Sequence, residues 1–332
     1  MPFGSHCGFE FALAEPGTEL RCFLRHGQVL HGKPLRDWSA EPAIYLFPEA
    51  PGPYALLVEW RAPSGAAGFE EAQFLVEPSV AGPIFQPTLA KNGEVGEWWV
   101  PNQHEANGVV NYEMGMLGGL EALIGAGQVV YDIGANVGLA AVPLAKAVGP
   151  RGLVVCFEPN PLCVAYLQAN LERHGCSQCR ILPFAITGGE QRVPFTVNFA
   201  NSLLGLSRSS FFYAQKVGQE IEVPGDSLEN LIQRFRLPPP QAVKIDVEGA
   251  EVAIFEGLRG VLEQHEPLIL FEIHHPQVAA LLLPILSGWG YTYQDTGSGK
   301  KYETAESFTA EYTEGIRQVI CFPPGGATGG TA

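Results

Sequence analysis

The chain has 332 residues, 35 Asp and Glu against 20 Lys and Arg, and a formal net charge of −15. Apolar residues make up 46 % and charged residues 17 %, enough to build a large core and too little charge for a disordered chain. The acidic balance disfavours phosphate backbones and anionic membranes, and no apolar run reaches the roughly 18 residues of a spanning helix. The first ten residues lack a basic and then apolar leader, so a cytoplasmic protein is expected. Seven irregularly spaced cysteines, including the C-x-x-C of Cys176 and Cys179, read as reduced thiols.

Residues 1–85 read as a small β-rich, sandwich-like module. Short apolar or alternating runs at Phe9–Leu13, Glu19–Leu24, Ala43–Phe47, Tyr54–Trp60 and Ala72–Val76 are separated by Pro/Gly turns. Residues 86–104 have few periodic apolar positions and read as a linker ending near Trp98-Trp99. From Gly108–Ile124, a helical pattern, strands alternate with helices. Strands are expected at Val129–Ile133, Leu153–Phe157, Cys179–Phe184, Ala242–Ile245, Leu268–Ile273, Tyr291–Tyr293 and Gln318–Phe322. Helices are expected at Leu139–Val148, Pro161–His174, Ser227–Phe235 (capped by Asp226), Ala250–Gln264 and Gln277–Leu286. A strand-rich insertion covers Arg192–Val197 and Glu220–Val223, and 323–332 is a flexible tail. Continuous apolar strands between helices predict an α/β, doubly wound, mostly parallel sheet covered on both faces.

The first strand runs into a Gly-rich turn, Asp132-Ile133-Gly134-Ala135-Asn136-Val137-Gly138. A dinucleotide fingerprint fails here, because it needs Gly where Asn136 and Leu139 stand. Asp132 would repel a pyrophosphate and suits a cationic ligand such as the amino group of S-adenosylmethionine. Glu158 ends the second strand, where a carboxylate accepts hydrogen bonds from both hydroxyls of a ribose.

DIGANVG (Asp132–Gly138), FEPNP (Phe157–Pro161), LPFAIT (Leu182–Thr187), VKIDVEGAE (Val243–Glu251) and FEIHH (Phe271–His275) together resemble the FkbM family of S-adenosylmethionine-dependent methyltransferases. The resemblance covers 105–322 and does not extend to the β-rich module. It implies a class I methyltransferase, Rossmann-like domain whose seven-stranded sheet has an antiparallel last strand. It also implies methyl transfer, most often to a hydroxyl of a sugar or natural-product scaffold, with S-adenosylhomocysteine as product. Carried onto these motifs, the cofactor set is Asp132, Gly134, Asn136, Gly138, Glu158, Pro159, Asn160, Ala185 and Asp246.

The ends of the fourth and fifth strands should carry the chemistry. Lys244, Asp246 and Glu248 alternate and would face one way. They are either a Lys244–Asp246 ion pair with Glu248 at a helix start, or a working face. Glu251 reads as a carboxylate of the first helical turn. Glu272 and His274 share a face, so His274 is the expected general base with Glu272 orienting it, and His275 is its alternative. Asp246 would position the methyl group or the acceptor. Glu113, Asn201, Ser202, Glu248 and Glu272 are the substrate-side candidates. Asp246, Glu272 and His274 could also ligate a divalent ion, but no metal is assigned. The expected partner is a small-molecule or glycan acceptor, without nucleic acid, membrane span or a legible oligomeric state. A non-catalytic glycan- or protein-binding protein on a retained cofactor fold, or an N- or RNA methyltransferase, remain the alternatives.

Overall fold

The structure, a computed structural model, describes residues 7–10, 15–16, 18–26, 29–30, 36–39, 43–46, 52–76, 88–92, 96–100, 123–197, 205–207 and 219–325. It divides into two compact units, Met1–Pro87 with Arg234–Arg236, and Thr88–Gln233 with Leu237–Ala332.

The first unit is antiparallel β. Gly52–Arg61 and Ala67–Val76 form a long hairpin, and Glu19–His26 pairs with the outer side of its first arm. Gly65 closes the hairpin turn at φ +89°, a backbone region open mainly to glycine. Val29–Leu30 and Arg36–Ser39 pair with Glu19–His26, and Cys7–Glu10 pairs separately with Ala43–Leu46. Leu20, Cys22 and Ala55–Val58 are buried, so the alternating runs supply the core.

The segment expected as a linker carries an antiparallel strand pair instead, Thr88–Asn92 with Gly96–Val100. Its few apolar positions hid it, because a two-stranded ribbon needs no helical period. Most of the expected helix at Gly108–Ile124 lies outside the described residues, as does the tail beyond 325.

The second unit is organised by one sheet. Its strands are β1 Val129–Ile133, β2 Leu153–Phe157, β3 Cys179–Leu182, β4 Ala242–Ile245, β5 Leu268–Ile273, β6 Thr292–Asp295, β7 Lys301–Tyr302 and β8 Arg317–Phe322. Its helices are α1 Ala141–Val148, α2 Pro161–Arg173, α3 Leu228–Phe235, α4 Glu251–His265, α5 Pro276–Gly288 and α6 Ala305–Thr309. The strand order is β3-β2-β1-β4-β5-β8-β6-β7. The first five are mutually parallel, and β8 enters antiparallel between β5 and β6. The sheet has eight strands rather than the expected seven. The added one, β7, is a two-residue hairpin arm against β6, too short to leave an apolar signature.

The apolar runs of β1, β2, β4 and β5 are almost wholly buried, which fits strands covered on both faces. The order reverses between β1 and β4, so the loops after those strands splay apart and leave a crevice at their carboxyl ends. The insertion after β3 forms a four-stranded sheet in the order Ala185–Ile186, Gln219–Asp226, Gln191–Val197, Gly205–Ser207. Phe195 and Val223 form its core with Ala185 and Val193. The expected Asp226 cap is shared, since Ser227 Oγ accepts from the Asn230 N–H at 3.2 Å and Asp226 Oδ1 accepts from Asn230 Nδ2 at 2.8 Å.

Helix α4 seats tightly on this insertion. A Cβ at Gly257 would stand 2.0 Å from the Thr187 carbonyl oxygen. In an open helix, Gly→Ala gains about 1 kcal/mol of propensity, whereas forced overpacking costs about 1–3 kcal/mol. A backbone carbonyl cannot swing away as a side chain can, so the cost wins. Gly257→Ala should lower stability in urea unfolding, against the gain that helix propensity alone would give.

Candidate active site

The turn after β1 is clamped by its neighbours. The N–H groups of Gly134 and Ala135 donate to the Phe157 carbonyl at 2.9 and 3.2 Å, and the Asp246 N–H donates to the Ile133 carbonyl at 3.0 Å. Gly134 has φ +79°, and a Cβ there would lie 1.7 Å from the Asp246 carbonyl oxygen. Glycine is therefore required by the approach of the β4 loop. Asn136 also takes positive φ, +50°, which Asn tolerates better than most residues. Gly138 meets a different neighbour. Its Cβ would strike Leu167 of α2, so it serves helix packing and does not line the crevice.

Glu158 ties the first two strand ends together. Its two carboxylate oxygens accept from the backbone N–H groups of Asn136 and Asn160, each at 2.8 Å. Burial pushes its pKa up to about 7, against the pull of those two N–H groups. A carboxylate has about four lone-pair sites, so acceptor capacity remains beyond the two used.

These loops surround a cavity of about 450 Å³, within the usual range for small-molecule sites. Gly134, Asn136, Glu158, Pro159, Ala185, Asp246 and Glu248 of the expected residues all line it. A wall that sequence reasoning missed comes from Gln191–Phe195 of the insertion, with Arg192 among its residues. The signal available was only a strand pattern, which does not say which edge faces a site.

Asp132 lies elsewhere than expected. It is fully buried, absent from the cavity wall, and paired with Lys244 Nζ at 3.4 Å. Its charge is met inside the protein rather than by a ligand's amino group. Lys244 also reaches Asp246 Oδ2 at 3.3 Å and donates to the Gly134 carbonyl at 3.3 Å. The alternating Lys244–Asp246 pair is thus an ion pair that also braces the glycine turn.

His274 is the main correction. Its side chain is 1 % exposed and four carboxylates ring it. Nδ1 lies 2.5 Å from Glu251 Oε1, and Nε2 faces Glu272 at 3.3 Å, Glu248 at 3.5 Å and Asp246 at 3.8 Å. Burial alone would lower its pKa, but the hydrogen bonds to Glu251 and Glu272 and the charges of Glu248 and Asp246 prevail, raising it to about 11. A base must arrive unprotonated, so a buried imidazolium does not fill that role. Glu251, read from sequence only as a helix-start carboxylate, is the ring's closest partner and also accepts from the Gly249 N–H at 3.2 Å.

His275 is also structural. Its Nδ1 accepts from the Gln277 N–H at 3.2 Å and caps α5 ahead of Pro276. Glu272 is buried and accepts from Gln318 Nε2 at 2.5 Å, so it braces β5 against β8 and does not face the cavity. Asn160 is buried off the cavity wall, with its backbone committed to Glu158. Glu113, Asn201 and Ser202 lie outside the described residues. Asp246, Glu248 and His274 bring ligand-type atoms within 4.8 Å of one another. His274 Nε2 lies 3.5 Å from Glu248 and 3.8 Å from Asp246, so the three side chains form one polar cluster at the ends of β4 and β5. Among the described residues, no helix is long and apolar enough to cross a membrane.

A parallel sheet ordered β3-β2-β1-β4-β5, an antiparallel β8 inserted beside β5, a glycine turn after β1 and an acidic residue ending β2 define a class I methyltransferase fold. Residues 132–293 match the family model described as the methyltransferase FkbM domain. The chain is 26 % identical over 149 residues to the hexuronic acid methyltransferase AglP of Haloferax volcanii, covering 44 % of this chain and 56 % of that protein. It therefore spans little more than half the length of that curated relative. Similar solved structures include the methyltransferase FkbM of Methylobacillus flagellatus, at TM-score 0.36 and 15 % identity over 59 % of this chain and 43 % of that one. The O-methyltransferase TomG of Streptomyces achromogenes matches at TM-score 0.38 and 14 % identity, over 64 % and 80 % of the two chains.

The imidazolium has a measurable signature. A histidine pKa raised from 6.5 to about 11 contributes stability that is complete below the unfolded value and is lost as pH rises towards the folded one. Wild-type protein should thus lose stability in urea between pH 7 and about 9. His274→Gln should be less stable at pH 7 and show a flatter slope over that window. Parallel slopes in the two proteins would show a neutral ring.

Proposed function

We propose that this methyltransferase uses S-adenosylmethionine to methylate a hydroxyl of a sugar or small natural-product-like acceptor. The observation that carries the reading is the cavity's polarity: Glu158 stands on its wall after β2, and Asp246 and Glu248 stand on its wall after β4. When bound, the donor supplies a methyl carbon activated by a sulfonium.

The residues fit such a donor. Glu158, fixed by two backbone N–H groups, has lone pairs left for the two hydroxyls of a ribose. Gly134 leaves open space where a side chain would crowd both the β4 loop and a ligand. Phe184, Ala185 and Ile186 offer an apolar face for a base. Asp246 Oδ1 is buried and accepts no hydrogen bond, while Oδ2 lies 3.3 Å from Lys244 Nζ, so Oδ1 has acceptor capacity left for a cationic centre.

The acceptor class rests on two points. The Haloferax relative is named for a hexuronic acid, which supports a sugar. The carboxylates of Asp246 and Glu248 at the same cavity favour a neutral hydroxyl over an anionic group. The net charge of −15 works against an RNA acceptor in the same way.

Calorimetry should show binding of S-adenosylmethionine and S-adenosylhomocysteine, and none of NAD. Glu158→Ala should weaken both by about 1–3 kcal/mol, the scale for removing a charged acceptor from paired donors. Labelled donor incubated with hexoses, hexuronates, small alcohols and RNA should label the sugars or alcohols. NAD binding without a response to the sulfonium donor would contradict the donor assignment, and label confined to RNA would contradict the acceptor class.

A further inference from the structure

Four carboxylates converge on His274, and each has a different fate. Glu251 is held by the ring's Nδ1 and by the Gly249 N–H. Glu272 is held by Gln318 from β8 and does not line the cavity. Asp246 lines the cavity but is bound to Lys244 at 3.3 Å. Glu248 also lines the cavity, its side chain is one-third exposed, and His274 Nε2 stands 3.5 Å from its carboxylate. The chain places this side chain by an uncommon backbone: Glu248 at φ +52° precedes Gly249 at φ +85°, two successive left-handed residues between β4 and α4.

We propose that Glu248 is the general base of the methyl transfer, and that His274, fixed by Glu251, is a positioning residue that aims the Glu248 carboxylate into the cavity. The inference rests on the methyl transfer to a hydroxyl argued above. In the step, the acceptor oxygen forms a bond to the methyl carbon as the carbon–sulfur bond breaks. The electron pair of that bond stays on sulfur, and the hydroxyl proton passes to a Glu248 carboxylate oxygen. A positive sulfonium and a negative carboxylate become a neutral thioether and a neutral acid, so charge balances within the site.

The surroundings suit this exchange. Burial first, and then the charge of Asp246 on the same loop, push the Glu248 carboxyl up to about 7; His274 from the end of β5 pulls it down, while Glu272 from β5 and Glu251 from α4 add smaller upward pushes. A base poised near neutrality combines ionisation at pH 7 with enough basicity to accept the proton. His274 in turn keeps Glu248 from rising further.

The test is a titration of protein labelled with ¹³C at glutamate side-chain carboxyls. Glu248→Gln and Glu248→Asp assign the Glu248 signal by its loss. A midpoint near neutrality supports the proposal, and His274→Gln should move it upward. A midpoint below about pH 5, the ordinary carboxylate range, overturns it. With methyl α-D-glucopyranoside as acceptor at saturating donor, Glu248→Gln should slow transfer at least about tenfold and remove the rise of rate through neutral pH. Its affinity for S-adenosylhomocysteine should stay within about twofold. Wild-type rate and pH profile in Glu248→Gln also overturn the proposal. The titration decides whether or not this glycoside is methylated well. Absence of S-adenosylhomocysteine binding in wild type would instead sink the methyl-donor reading itself.

Discussion

Two buried cations, Lys244 and His274, hold together the carboxyl end of the sheet. Lys244 joins Asp132 on β1 to Asp246 after β4, and His274 joins Glu251, Glu272, Glu248 and Asp246 at the ends of β4, α4 and β5. Five carboxylates therefore share two cations. Burying ion pairs costs desolvation and is often near break-even against apolar packing. What the arrangement supplies is geometry: removing either cation would leave several buried anions facing one another. The excess of negative charge makes the cavity wall after β4 acidic.

The glycine turn depends on the same network. Lys244 Nζ reaches the Gly134 carbonyl while the Asp246 carbonyl occupies the space where a Gly134 side chain would be. The β1 and β4 loops thus interlock through one backbone contact and one side-chain cation. Glu158 extends the clamp to β2 by holding the N–H groups of Asn136 and Asn160. Three strand ends are positioned by polar contacts within the protein itself, the kind of fixed geometry on which a transfer reaction depends.

The fold was legible in the sequence wherever burial on both faces forced a continuous apolar run, as in Val129–Ile133 and Leu268–Ile273. It was illegible where strands were short or polar. Lys301–Tyr302 and the Thr88–Asn92 hairpin arm satisfy backbone hydrogen bonds without an apolar stripe. For the site, local spacing was enough to bring Gly134, Asn136 and Glu158 to one cavity wall, because strand, glycine turn and carboxylate follow one another along the chain. It misjudged Asp132 and His274, whose roles depend on partners 112 and 23 positions away, Lys244 and Glu251. Alternation along a strand says which residues share a face, but it does not count the charges that neighbouring elements bring to that face. The same limit concealed Gln191–Phe195, which becomes a cavity wall only when the insertion folds back.

The measurement that bears most directly on this account is a crystal structure of the full chain with S-adenosylhomocysteine bound. The ribose hydroxyls should hydrogen-bond to Glu158, and the sulfur should lie on the side of the cavity formed by Asp246 and Glu248. A ligand bound away from the β1–β4 crevice, or one whose ribose makes no contact with Glu158, would contradict it.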